Sequence, residues 1–264
     1  MSNLRDLFPT EDYRFRMTMR RGNPADFFRA QDDTGRLLSE RNRWLDLEPQ
    51  NYAALLPEGV GLLEEVADLA AAWGMDRSGD IVALARKWEP DFLLLSPDDE
   101  GQFRLRGGAL CFPTGWALNR KLGETLATIH GVVPGLNPAI GPAIDQFLRG
   151  LKPGPAFLRE NWGITANEEL NLHPTRLISS PRLPINLDAM WLRVEHQMLV
   201  SLPRSRGVLF GIRIALHRLD GLAADSELAL GLGNALRAMP SAMAIYKGLA
   251  EVRESLAAVL IARK

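Results

Sequence analysis

The chain has 264 residues, a formal net charge of −1 and 24% charged residues, so it lacks the positive surplus that a nucleic-acid-binding face requires. Cys111 is the single cysteine, which excludes an intramolecular disulfide, a cysteine-ligated iron–sulfur cluster and a cysteine zinc site. Hydrophobic residues make up 46%, enough for one domain with a sizeable core; no apolar run approaches the roughly 18 residues of a membrane span, the start MSNLRDLFPTEDYRFRM has no signal-like apolar core, and a cytoplasmic location is expected.

Residues 1–50 are polar and broken by Pro9, Gly22, Pro24 and Gly35, with Arg5 to Pro9 as a lead-in on the surface. Tyr13, Phe15 and Met17 alternate with Arg14, Arg16 and Thr18, which predicts a strand over residues 12–20. Gln50 to Trp88 reads as helical: Leu62, Leu63, Val66, Leu69, Ala70 and Trp73 form one stripe ended by Gly74, and Ile81 to Trp88 forms a second ended by Pro90. Phe92 to Leu95 and Phe103 to Cys111 predict a β-hairpin around Pro97–Gly101, with a bulge or bend at Gly107-Gly108 and with Arg104 and Arg106 on a solvated outer face.

The run Gly115 to Gly135 predicts an amphipathic helix. Leu118, Leu122, Leu126 and Ile129 recur at helical spacing, and His130 closes the stripe before Gly131 and Pro134. An imidazole there suits an axial ligand to haem iron; on spacing alone, a satisfied core or capping histidine is the commoner case. Asn137-Pro138 predicts the start of a short helix carrying Ile140, Ile144, Phe147, Leu148 and Leu151. Phe157 to Thr165 alternates, with Arg159, Asn161 and Gly163 on one face and Leu158, Glu160, Trp162 and Ile164 on the other; core packing is the plain reading of Trp162. Residues 166–190 read as a Pro-rich loop with His173 exposed.

Trp191 to His217 is the clearest hairpin. Leu192, Val194, His196, Met198 and Val200 alternate with Arg193, Glu195, Gln197 and Leu199, and Val208 to Leu216 return after the turn at Pro203–Gly207. Arg193, Glu195, Gln197 and Arg213 are expected on one face, which is either solvated or the lining of a cavity, where buried charges mark a site. Two helices end the chain: one capped by Ser226, and one running from Pro240-Ser241 with Ile245, Leu249, Val252, Leu256 and Val259 as its stripe and with Arg263 and Lys264 at its negative end. The layout is α+β: one domain over residues 1–264 with an N-terminal extension, a mainly antiparallel sheet of about five strands, flanking helices, and C-terminal helices from about 223 to 264.

Four segments between Cys111 and Leu249 carry a family likeness: CFPTGWALNRKLGETLATIHGVVPG; FLRGLKPG with RENWGI; LRVEHQMLVSLPRSRGVLFGIR; and AMPSAMAIYKGL. As an ordered set they resemble the haem-dependent oxidative N-demethylases. The resemblance implies a PAS-like fold and non-covalent haem b, consistent with the lack of Cys-x-x-Cys-His. It implies removal of a methyl group, as formaldehyde, from a small secondary amine, with oxygen and NADPH-derived electrons delivered by a separate reductase carrying FMN and an iron–sulfur cluster. It maps the iron ligand onto His130 and the site strands onto Arg193-Val194-Glu195 and Ile212-Arg213. Glu195 is then the catalytic carboxylate that holds the substrate ammonium, Arg193 or Arg213 pairs a haem propionate, and Asn161 and Trp162 of the RENWGI segment join the cofactor-binding set. The chain departs from the family pattern at His196 (usually Arg), at Ser205-Arg206-Gly207 (usually a Thr-Gly turn) and at Gly211 (often Thr). A non-catalytic haem-binding sensor or electron-transfer module is the alternative that the same fold supports.

Overall fold

The computed structural model describes residues 4–8 and 13–263; Pro9 and Lys264 lie outside them. Eleven α-helices occur among the described residues: α1 (Pro24–Phe28), α2 (Arg36–Leu47), α3 (Pro49–Tyr52), α4 (Val60–Ala72), α5 (Ile81–Ala85), α6 (Leu126–His130), α7 (Leu136–Gly150), α8 (Leu219–Leu222), α9 (Ser226–Ala238), α10 (Ser241–Tyr246) and α11 (Arg253–Ile261). Seven strands form one sheet: β1 (Arg20–Gly22), β2 (Ala53–Leu55), β3 (Asp91–Pro97), β4 (Phe103–Ala109), β5 (Ala156–Thr165), β6 (Trp191–Ser201) and β7 (Val208–Arg218). The order is β1-β5-β6-β7-β3-β4-β2 and every pairing is antiparallel. The α+β layout expected from the sequence therefore holds. The two extra strands, β1 and β2, are three-residue edges too short to show a period. No helix among the described residues is long and apolar enough to cross a membrane.

The β3–β4 hairpin forms where the alternation places it; Gly107 and Gly108 pair regularly with Leu94 and Leu93, and the register shifts one step earlier, between Leu94 and Leu95, where Arg106 is the extra residue between Leu105 and Gly107. Gly108 needs its missing side chain: its φ is +152, and a Cβ there would lie 2.3 Å from the Phe92 carbonyl oxygen. The β6–β7 turn is pinned by Glu65 of α4, a buried carboxylate that accepts from the backbone N–H groups of Arg204 (2.7 Å) and Ser205 (2.9 Å). Directly paired residues share a sheet face, so the pairings divide the sheet. Arg159, Asn161 and Gly163 of β5 lie with Gln197, Glu195 and Arg193 of β6 and with Ile212, Ile214 and Leu216 of β7. Trp162, Ile164, Leu192, Val194, His196, Gly211 and Arg213 lie on the opposite face. There α9, α10 and α11 pack on Ile164, Leu192 and Val194, and α1 packs on Gly211.

Several expectations are corrected. Residues 13–19 are irregular and only Arg20 to Gly22 form a strand, paired with Ala156 to Leu158, which leaves the rest of the β5 edge open. The 12-residue helix α2 replaces what reads as broken polar chain, because its buried face is made by Arg41, Trp44 and Leu45 rather than by an aliphatic stripe. The helix expected from Leu118 to His130 does not run through. A 3-10 turn covers Leu118–Arg120, Gly123 takes φ +80, and residues 123–125 lie beside β4, with Gly123 N–H donating to the Leu105 carbonyl (2.8 Å) and Leu105 N–H to the Glu124 carbonyl (3.0 Å). Helical structure resumes only at α6, capped by Thr125. The last expected helix is likewise two: Gly248 at φ +67 separates α10 from α11 and leaves Ile245 68% exposed. Asp225, one residue ahead of Ser226, is the cap of α9.

Candidate functional site

Glu195 is the centre toward which the polar groups of β5, β6 and the C-terminal segment turn. It sits mid-strand on β6, half-buried, beside Asn161 of β5. Three neutral donors hold its carboxylate: the Thr114 hydroxyl (2.6 Å), the Gln197 amide (2.8 Å) and the Asn161 amide (3.3 Å). Thr114 also accepts from Arg193 Nε (3.0 Å) and so links the two β6 side chains.

Arg193 is fully buried, and its other donors go to backbone: the carbonyls of Phe112 (2.7 Å), Leu170 (2.8 Å) and Glu169 (3.3 Å). Burial pushes its guanidinium down to about 10, still charged at neutral pH. The Phe112 segment is fixed from behind. Asp91, wholly buried on β3, accepts from the backbone N–H groups of Cys111 (2.7 Å) and Phe112 (2.9 Å) and pairs with Arg41 of α2 at 2.9 Å. A hydrogen-bonded chain thus runs from α2 through Asp91, Phe112, Arg193 and Thr114 to Glu195.

Glu195 is also surrounded by charge. Arg159 lies on its face of the sheet, and the Lys247 amine, half-buried at the end of α10, interacts with the same carboxylate. β1 covers only Ala156 to Leu158, so the remainder of β5 is an open edge; Lys247 reaches that edge and donates to the Trp162 carbonyl at 2.5 Å, above the Trp162 ring. Burial lowers the Lys247 amine to about 8 and also lowers Arg159. Tyr246 is raised by burial and then by Glu195.

His130, the last residue of α6, stands near Arg159 and Asp145 of α7. Burial, then the Arg159 charge, holds its imidazole below the usual histidine range, so it is neutral at pH 7. Half-buried apolar side chains continue the wall beside it: Leu122, Leu126 and Ile129, then Leu136, Ile140 and Phe147 of α7. Phe147 meets Phe157 of β5 edge-on at 5.3 Å, which seats α7 over the Arg159 face. A neutral nitrogen, an apolar wall and a cationic rim thus come together on one side of the sheet.

Of the sequence-predicted residues, the fold brings His130, Asn161, Arg193 and Glu195 to this side. It does not bring Arg213, which was expected on the Glu195 face: Arg213 pairs with His196 across the hairpin, points to the other face, and binds buried Glu89 and the carbonyls of Phe27 (2.7 Å) and Arg29 (2.9 Å). The Trp162 ring also lies on that other face, edge-on to Phe8 at 5.1 Å. His173, expected to be exposed, is 3% exposed. Its Nδ1 bonds the Thr175 hydroxyl (2.8 Å) and its ring meets Tyr52. Arg159, Tyr246 and Lys247 were not picked out as site residues from the sequence. The available signal was a lysine and a tyrosine inside the otherwise apolar AMPSAMAIYKGL tail.

The departures at His196 and Gly211 lie on the face away from Glu195. Gly211 leaves room for α1: a Cβ there would lie 2.6 Å from Phe27 and 2.7 Å from Phe28. Comparison with known families matches residues 59–257 to the model described as haem-dependent oxidative N-demethylase, alpha subunit-like. That span takes in Thr114, His130, Arg159, Glu195 and Lys247, and the chain belongs to this family of haem-dependent oxidative N-demethylase alpha-subunit-like proteins.

Proposed function

We propose that this chain is the haem-carrying subunit of an oxidative N-demethylase that takes a small secondary amine to the primary amine and formaldehyde, with oxygen and NADPH-derived electrons supplied through a separate reductase bearing FMN and an iron–sulfur cluster. The observation that carries the reading is the pairing of a desolvated, neutral His130 with a carboxylate, Glu195, held by three neutral donors on the sheet face beside it.

The residues present fit a non-covalent haem b. His130 offers an uncharged imidazole lone pair for iron, the α6–α7 wall offers apolar contact for a porphyrin, and the cations around Glu195 offer partners for its carboxylates. When bound, haem supplies the binding and reductive activation of oxygen. The protein's own work is positioning. Glu195 attracts the ammonium form of the amine. The Asn161 and Gln197 amides and the Thr114 hydroxyl fix its carboxylate, so little reorganisation accompanies binding. Leu126, Ile129 and Phe147 exclude water from the methyl group.

The test is direct. Purified protein loaded with haem should show a Soret band, release all its haem into acid butanone, and form formaldehyde from dimethylamine only when NADPH and the reductase are present. A protein that takes up no haem refutes the reading, and one that holds haem but never yields formaldehyde with the complete electron supply is a sensor or electron-transfer module instead.

A further inference from the structure

Three cations surround Glu195, and among the described residues none of them makes a direct ion pair with it. Arg193 is committed to the Thr114 hydroxyl and three backbone carbonyls. Among the described residues, Arg159 makes no side-chain hydrogen bond or ion pair, and the Lys247 amine contacts the Trp162 carbonyl and ring, while Glu195 acts on both cations only through space. Glu195 itself is bonded by neutral groups. Glu160, the other acid near Arg159, is turned to the opposite face, where Arg20 and His196 meet it. The site thus keeps two half-buried cations near one carboxylate, neither of them in direct contact with an acid among the described residues. Buried charge of this kind is costly unless something pairs it. The Arg159 guanidinium is half-buried rather than sealed in the core, so it remains accessible to a ligand.

We infer that Arg159 and Lys247 together form a carboxylate-binding pair at the rim of the site, and that the anion arrives with a ligand. This rests on the proposed haem and amine reading for the two sources of that carboxylate: a propionate of the porphyrin, or the carboxylate of an N-methylated amino acid used as substrate. Both are apolar-bodied molecules with a carboxylate at one end, which matches an apolar α6–α7 wall ending in cations. Arg supplies a planar fork matched to a carboxylate, and Lys a point charge. The pair takes over the role expected of Arg193 and Arg213, whose terminal guanidinium nitrogens are occupied by backbone carbonyls and by Glu89.

Two titrations separate the sources. Apoprotein is titrated with metal-free protoporphyrin IX and with its dimethyl ester, followed by porphyrin fluorescence; this readout does not depend on iron or on His130. Haem-loaded protein is titrated with N-methylglycine and with dimethylamine, followed at the Soret band, and N-methylglycine binding to apoprotein is measured by calorimetry. Wild type, Arg159→Gln, Lys247→Gln and the charge-restoring Lys247→Arg are compared, with circular dichroism as the check on folding. If the porphyrin supplies the anion, wild type binds the diacid at least tenfold tighter than the ester. Each Gln variant then loses most of that ratio, and Lys247→Arg recovers it. If the substrate supplies the anion, diacid and ester bind alike, N-methylglycine binds at least tenfold tighter than dimethylamine, and the Gln variants erase that preference. The pair is overturned if wild type discriminates in neither titration, or if folded Gln variants discriminate as wild type does. A wild type that binds no porphyrin refutes the haem reading instead, and calorimetry with N-methylglycine then decides the pair by itself.

Discussion

Asp91→Asn removes one charge, and little volume, from the point where the support of the site begins. Asp91 and Arg41 are each wholly buried, 2.9 Å apart, and Arg41 already has two donors, Nε and one Nη, without partners. The Asp91 carboxylate faces donors only: Arg41 and the backbone N–H groups of Cys111 and Phe112. An asparagine must turn its own NH2 toward at least one of them. Breaking a buried pair from one side costs about 3–5 kcal/mol, a large share of a total stability of about 5–15 kcal/mol. For a chain of this size that is a fall in Tm of about 6–20 °C. Urea denaturation and thermal melts measure it. The double variant Arg41→Met/Asp91→Leu removes both charges and should recover at least half of the loss, since no unpaired charge remains. Because Asp91 fixes Phe112, and Phe112 accepts from Arg193, folded Asp91→Asn should also show a raised KM for the amine with its haem content intact. A cost below about 1 kcal/mol, or a double variant as damaged as the sum of the singles, would show that the pair does not anchor this segment.

Three further outcomes are expected. His130→Ala should fold but lose haem or hold it weakly with a high-spin spectrum, while His196→Ala, on the other face, keeps the wild-type spectrum; the reverse pattern moves the iron ligand to His196. Lys247 is lowered to about 8 in the folded chain against about 10.4 unfolded. Both states hold the proton below pH 8, whereas between 8 and about 10.4 the unfolded chain binds more protons, so this group makes stability rise with pH, by at most about 3 kcal/mol; subtracting the pH–stability curve of Lys247→Met isolates it, and a flat difference refutes the buried amine. Gly211→Ala forces a Cβ against Phe27 and Phe28 and should cost about 1–3 kcal/mol in urea without changing haem affinity, because α1 lies on the far face.

The sequence by itself determined the elements whose period is local. Alternation from Trp191 to Ser201 and from Val208 to Arg218 is enough to make a hairpin, and it already puts Arg193, Glu195 and Gln197 on one side, because neighbouring side chains of a strand alternate by covalent geometry. The β5 faces and the α4 stripe were legible for the same reason. What the sequence did not determine is which face of β7 joins which face of β6. That depends on how many residues the turn consumes, and pairing Ser201 with Val208 puts even-numbered residues opposite odd ones, so Arg213 goes to Glu89 rather than to Glu195. Tertiary structure also decided where helices stop. Leu118 to His130 has a helical period, but Gly123 and Glu124 hydrogen-bond to Leu105 of β4, and that outcompetes the local preference. His173 is buried because residues far along the chain, Tyr52 among them, close over its loop. The meeting of Lys247 with the Glu195 face has the same origin. No local pattern encodes it, because burial of the α9–α11 helices against Ile164, Leu192 and Val194 is what carries the amine to the open edge of β5.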